Sequence, residues 1–412
     1  MKRLSKLILT KMDINGRPCR ISALEEDGRI VELRPEYEQQ KSCLGNIYIG
    51  KVENIAQNMQ AAFVQLQPGI RGYFPLAEQS QLIYAAGRKG KAHLRPGDEI
   101  LVQVSRDAMK GKLPALSANL NFTGKYLVLT TGNRKFGFSK KLSEADRTRL
   151  SGWFEEEQAK AGREYGVIVR TNAAEAQKEE LLHEFSYLKS LYKKVAVDGR
   201  SRTCYSLLYE TEPMYLRMLQ DCYIASLEEI LTDDPKMYGR ILAYLQENSP
   251  QEAAKLRLYE DALLPIYKLF RIETALDEVR HERIWLKSGG FLVIQQTEAF
   301  VSIDVNSGKY TEKKKAEEAY RKINLEAAGE IARQLRLRNL SGIILIDFIN
   351  MKNPDHVEEL FHVLKKRLKQ DPIPCNAVDI TPLNIFEMTR KKVRRPVIED
   401  LLMGPVSENE IE

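Results

Sequence analysis

Between Phe291 and Met351 two apolar segments flank a long amphipathic stretch, the first bearing Asp304 and Asn306, the second Asp347. The run FLVIQQTEAFVSIDVNSGK reads as two strands joined by the turn-forming Thr297 and Glu298. Strand side chains alternate, so Asp304 and Asn306 share one face while Ile303 and Val305 meet the core. From about Thr311 to Leu340, Ile323, Ala327, Ile331, Leu335 and Leu337 recur at helical spacing. Ser341 and Gly342 then end the pattern before IILIDFINM. Strand, crossover helix and strand return in parallel, and ligand sites in such α/β sheets lie at the carboxyl ends of the strands. Asp304, Asn306 and Asp347 are therefore expected to converge. Two carboxylates and an amide oxygen suit magnesium or manganese, hard ions that keep several waters and a substrate phosphate. Taken singly, each aspartate also fits a solvated or capping residue at a strand end. The apolar surroundings of Asp347 weigh against that, since burying an unpaired carboxylate is costly.

The length of 412 residues fits two to four domains, and 43% hydrophobic residues supply real cores. With 63 basic and 57 acidic residues the net charge is +6, so local clusters rather than the overall field decide whether a polyanion binds. Cys19, Cys43, Cys204, Cys222 and Cys375 include no Cys-x-x-Cys pair, which argues against a disulfide framework or a cysteine-built zinc site and fits a reducing cytoplasm. The run Leu7-Ile8-Leu9 is too short for a signal-peptide core, and no stretch approaches the roughly 20 apolar residues that span a bilayer.

Residues 1–43 read as short strands with hairpin turns at Asn15-Gly16 and Asp27-Gly28. Between Gly45 and Leu120, GNIYIGKVENI, AAFVQLQ, IRGYFPL, EILVQVSRD and PALSANL suggest a five-stranded oligonucleotide-binding barrel. Phe63 and Tyr73 would point away from its core, making with Lys51, Arg71, Lys110 and Lys112 a platform for single-stranded nucleic acid. A second small core is the competing reading of the two rings. Residues 125–215 read as a small α/β unit in which Arg170 and Thr171 could clamp a terminal phosphate, although a surface salt bridge would use Arg170 equally well. Residues 216–279 are helix-rich and expected to complete the amino-terminal sheet, with the barrel as an insertion. The helix from about Asp355 to Gln370 is amphipathic, and the basic run TRKKVRRP is expected to meet an RNA backbone.

Taken together, GNIYIGKVENI, AAFVQL, GYFPL, YLVL, VRT, SIDVNSGK, INLEAAGEIARQLRLRNLSGIILIDFINM and EMTRKKVRRP resemble the ribonuclease E/G family of bacterial endoribonucleases over almost the whole chain. The resemblance implies an α/β multidomain protein. A discontinuous ribonuclease-H-like domain (1–43 and 216–279) would carry an inserted oligonucleotide-binding barrel (44–124) and a 5′-end sensor (125–215). A deoxyribonuclease-I-like catalytic domain (280–400) and a tail (401–412) would follow. By the same resemblance Asp304 and Asp347 bind magnesium and Asn306 contacts the scissile phosphate. Phe63, Tyr73 and Lys112 hold single-stranded RNA, and Gly124, Val128, Arg170 and Thr171 receive its 5′ end. Cleavage in A/U-rich segments, leaving 5′-phosphate and 3′-hydroxyl ends, would serve ribosomal RNA processing and mRNA decay.

Three departures from the family pattern stand out. Its zinc-linking cysteine pair has no counterpart, so no zinc is expected and any oligomer uses another surface. Pro382 replaces a 5′-pocket arginine, leaving the strength of 5′-monophosphate dependence open. Asn350 replaces an acid near the metal, which predicts weaker metal affinity. Two competing readings remain at this point. A non-catalytic RNA-binding protein would keep the barrel without turnover, and a magnesium-dependent hydrolase of small phosphate esters would have no use for Phe63 and Tyr73.

Overall fold

The computed structural model describes residues 5–37, 42–85, 93–108, 113–154, 164–221, 227–308, 316–381 and 383–402. Lys110, Lys112 and Pro382 lie outside them. The chain forms two compact units, Met1–Lys41 with Ala225–Glu412, and Ser42–Ile224.

In the first unit, β1 (Ser5–Asp13), β2 (Pro18–Glu26) and β3 (Arg29–Tyr37) form an antiparallel meander. Asn15, Gly16, Asp27 and Gly28 supply the positive φ angles that tight hairpin turns require.

The second unit holds a barrel of β4 (Ile47–Ala56), β5 (Ala61–Gln67), β6 (Ile70–Pro75), β7 (Ile83–Tyr84), β8 (Glu99–Arg106) and β9 (Ala115–Ser117). The order β4-β5-β6-β9-β8 closes through antiparallel pairing of β8 with β4, so five strands have no free edge, as in an oligonucleotide-binding fold. Val52, Ala62, Val64, Leu66, Phe74, Ile100 and Val102 fill it. A second sheet, β10-β11-β13-β12, comprises β10 (Asn121–Thr123), β11 (Leu127–Thr130), β12 (Phe136–Phe138) and β13 (Gly166–Val169). The helix Lys178–Tyr192 buries Leu181, Phe185 and Leu188 in a core shared with Leu127, Leu129, Val167 and Val169. Finally β14 (Leu207–Tyr209) returns to pair with β4.

Back in the first unit, β15 (Glu229–Thr232) pairs in parallel with β1, and β16 (Leu256–Leu258) with β15, extending the meander to five strands. A six-stranded sheet follows, ordered β17-β18-β19-β20-β22-β21: β17 (Arg283–Trp285), β18 (Phe291–Gln296), β19 (Phe300–Asn306), β20 (Gly342–Asp347), β21 (Cys375–Ile380) and β22 (Ile385–Arg390). The crossover helix Ala316–Leu337 and the helix Pro354–Leu368 cover one face, where Ile303, Val305, Ile344, Ile346, Phe386 and Met388 are buried.

Ion pairs tie this sheet's crossover helix to the meander. Arg29 pairs with Glu330 at 2.8 Å, Arg336 with Glu26 at 2.8 Å, and Arg333 donates to the Ile30 carbonyl. Beyond β22, Arg394 reaches the buried Glu32 at 2.9 Å. Burial alone would raise the Glu32 carboxyl, but the guanidiniums of Arg34, Arg394 and Arg336 outweigh it and hold the group down to about 2. Because this folded value lies below the unfolded one of about 4.3, its stabilisation is full at neutral pH and is lost as pH falls toward 2. Glu32→Gln should cost about 3–5 kcal/mol in urea unfolding at pH 7, because it strands buried guanidiniums, and measurably less at pH 3.

Candidate active site and nucleic-acid interface

On β19 odd-numbered residues are buried and even-numbered ones face outward; the parity reverses on β20 and β22. The parallel register sets Asp304 opposite Asp347, so both carboxylates emerge on the uncovered face, about 5 Å apart at the backbone. Asn306, also on that face, donates from Nδ2 to Asp304 Oδ2 at 2.7 Å. The three residues expected to converge are thus brought together. Asp347 is not buried within its strand: it is the exposed last residue of β20, where the chain leaves the sheet. Partial burial, and secondly the charge of Asp304, push its carboxyl above the usual range.

The crossover helix fixes this end of the sheet through side chains with no obvious role in the sequence. Asn324, fully buried on the apolar stripe, donates to the Ile349 carbonyl at 2.8 Å and accepts from the Ile349 amide at 3.1 Å. It acts as a surrogate strand for the backbone just past Asp347. Glu317 accepts from the Lys352 and Asn353 amides, and Glu326 from those of Lys287 and Ser288. A polar residue on a helix's apolar stripe is the sequence signal that could have found Asn324. Asn350, which lies between the backbone held by Asn324 and that held by Glu317, accepts from Asn384 at 3.0 Å.

In the second unit Phe63 and Tyr73 are direct cross-strand partners on β5 and β6. Both are half-buried, while Ala62, Val64 and Phe74 beside them are wholly buried, so the two rings share the outer side of the barrel wall. Lys51 is exposed, and Arg71 is committed to an ion pair with Glu53 at 3.0 Å. On the second sheet Arg170 donates from Nη1 to the Gly124 carbonyl at 2.7 Å, Val128 pairs with Ile168, and the Thr171 hydroxyl lies 2.9 Å from that of Ser139. Glu184 accepts from the amides of Lys125, Tyr126 and Leu127, holding the turn after Gly124, where any side chain would collide with its carboxylate.

In the basic run TRKKVRRP the arginines Arg390 and Arg394 are turned to internal partners. Arg390 is buried against Asp371 at 2.8 Å, and Arg394 is drawn to Glu32, because buried carboxylates claim both guanidiniums. Lys391 and Lys392 remain exposed. Among the described residues no helix is long and apolar enough to cross a membrane.

A closed oligonucleotide-binding-like barrel joined in one chain to an α/β sheet with paired carboxylates defines an α/β multidomain protein. The family model of the ribonuclease E/G family matches residues 121–393. The chain is 33% identical to ribonuclease G of Escherichia coli (strain K12) over 396 residues, 93% of this chain and 80% of that protein. It is 31% identical to ribonuclease G of Haemophilus influenzae over 393 residues, covering 93% and 79%. Against ribonuclease E of Escherichia coli (strain K12) it is 32% identical over 382 residues, 90% of this chain but 35% of that protein. The chain belongs to the ribonuclease E/G family.

The raised Asp347 carboxyl gives a stability test of the site. Its folded value lies above the unfolded one, so the native-state penalty is absent at low pH and present once Asp347 ionises. Asp347→Asn should therefore raise the melting temperature at pH 7 in EDTA, and the gain should vanish near pH 3.

Proposed function

We propose that the chain is a metal-dependent endoribonuclease that cuts single-stranded RNA internally, leaving a 5′-phosphate and a 3′-hydroxyl. The observation that carries this reading is the in-register pair Asp304 and Asp347, with Asn306 hydrogen-bonded to it, on an uncovered sheet face. The names of the relatives point the same way. Asp304 and Asp347 would hold magnesium, or manganese; the charge of Asp304 adds to the cost of ionising Asp347, and a divalent cation between them would offset it. When bound, the ion supplies an acidified water and offsets charge on the phosphoryl oxygens. Asn306 orients Asp304 and presents its amide to the scissile phosphate.

In this reading the barrel gives sequence-tolerant affinity, with bases stacking on Phe63 and Tyr73 and Lys112 tracking phosphate. Preference for A/U-rich segments then follows from their easier unstacking. Gly124, Val128, Arg170 and Thr171 receive the RNA's 5′ end. The five-stranded sheet serves as the ribonuclease-H-like domain and the six-stranded sheet as the deoxyribonuclease-I-like catalytic domain. The substrates are precursors of ribosomal RNA and messenger RNAs in the cytoplasm, and any oligomer forms without a zinc link.

An internally labelled, A/U-rich single-stranded RNA with a 5′-monophosphate or 5′-hydroxyl tests the assignment in magnesium and in EDTA. Cuts should require the metal, and Asp304→Ala should lower turnover at least about a hundredfold while the protein stays folded. Tight binding without cuts in magnesium or manganese would leave a non-catalytic RNA-binding protein. Phe63→Ala with Tyr73→Ala should weaken RNA binding by about 1–3 kcal/mol per lost stack, measured by filter binding, and leave hydrolysis of a small phosphodiester unchanged.

A further inference from the structure

We propose that Trp285, Phe291 and Arg283 form a base-stacking subsite for a nucleotide next to the cleaved bond, a reading that rests on the nuclease assignment above. The sheet register places them. Trp285 pairs with Phe291 and Phe291 with Asn306; in the adjacent row Arg283 pairs with Val293, Val293 with Asp304, and Asp304 with Asp347. Paired residues share a face, so the three side chains lie on the uncovered face that carries the carboxylates. Trp285 stands two strand spacings, roughly 10 Å, from Asn306 at the backbone.

The cluster is built so that one ring is left open. The Phe291 and Trp285 ring centroids are 5.2 Å apart at 57°, and the Arg283 guanidinium lies 4.6 Å from the Phe291 centroid. Trp285 nevertheless remains 65% exposed. An indole that contributes so little to a core is placed for a partner with a π-face, and a neighbouring guanidinium suits the phosphate that accompanies a base.

The support beneath it is rigid. Leu286 is buried, its amide donates to the Gly290 carbonyl, and Glu326 accepts from the next two amides. Beside Trp285 a cleft of about 380 Å³ is bordered by Arg271 and Arg283. Arg29, Asp277, Glu278, His281 and Arg333 also line it; Glu278 is paired with Arg333, Arg29 with Glu330, and Asp277 lies 3.6 Å from the His281 ring, so among the lining cations Arg271 and Arg283 are the two outside these ion pairs.

Trp153 is the other of the chain's two tryptophans, so a Trp153→Phe background makes Trp285 the sole indole reporter. With Asp304→Asn added to prevent turnover, saturating A/U-rich single-stranded RNA should quench Trp285 fluorescence. In the otherwise wild-type enzyme, Trp285→Ala should lower kcat/KM about tenfold, mainly through KM, and Trp285→Phe should restore most of it. An abasic residue scanned across the cut site should cost the wild type similarly at one position and cost Trp285→Ala nothing further there.

Unquenched fluorescence at saturating RNA, with an abasic penalty unchanged in Trp285→Ala, would overturn the subsite while leaving a working nuclease. If the wild type does not cut RNA at all, the nuclease assignment falls and takes the subsite with it.

Discussion

The parallel pairing of β19 with β20 is the constraint on which the candidate active site depends. Asp304 faces Asp347 only in this register; a slip of one residue would turn one carboxylate toward the apolar face beneath the helices. Burial of Ile303, Val305, Ile344 and Ile346 excludes that slip, because it would expose the whole apolar set. Asn324 adds a second lock from the helix that joins the two strands. Its amide meets both backbone groups of Ile349, so the chain leaves β20 in one direction and Asp347 stays at the sheet's rim. Leaving those buried groups unpaired would be costly, and that gives the lock its strength.

The same helix reaches in two directions. At one end Glu317, Asn324 and Glu326 hold backbone around the carboxylates. At the other, Glu330, Arg333 and Arg336 bind the meander through ion pairs and a carbonyl. Glu32 extends that connection to the segment after β22 through Arg394. The meander therefore braces the six-stranded sheet through its crossover helix, and these charges are consumed in that bracing.

Local periodicity made much of this legible. Alternation along SIDVN put Asp304 and Asn306 on one face, and the glycine-punctuated strands between Gly45 and Leu120 close into a barrel with Phe63 and Tyr73 outside it. Features set by distant partners were not legible. In TRKKVRRP all five cations read alike until Glu32 and Asp371 are seen to claim Arg394 and Arg390, leaving Lys391 and Lys392 exposed. Glu184 reads as one more acid on a helix until three amides of a remote turn converge on it. Apolar surroundings suggested a buried Asp347, whereas the strand ends on it and leaves it exposed.

Asn350 shows how a departure from an expected acid can be reconciled with the site. It follows Asp347 by three residues and accepts a hydrogen bond from Asn384, which sits at φ 61° in the turn before β22. The amide thus joins two loops at the same end of the sheet, a bond in which the acceptor oxygen is neutral. A carboxylate there would also accept from Asn384, but it would add a third negative charge near a pair in which Asp304 already raises the cost of ionising Asp347. With an amide at position 350, the negative charge is concentrated on Asp304 and Asp347. In the proposed metal site, divalent-ion affinity would rest on those two groups, and the loop contact is kept without further repulsion.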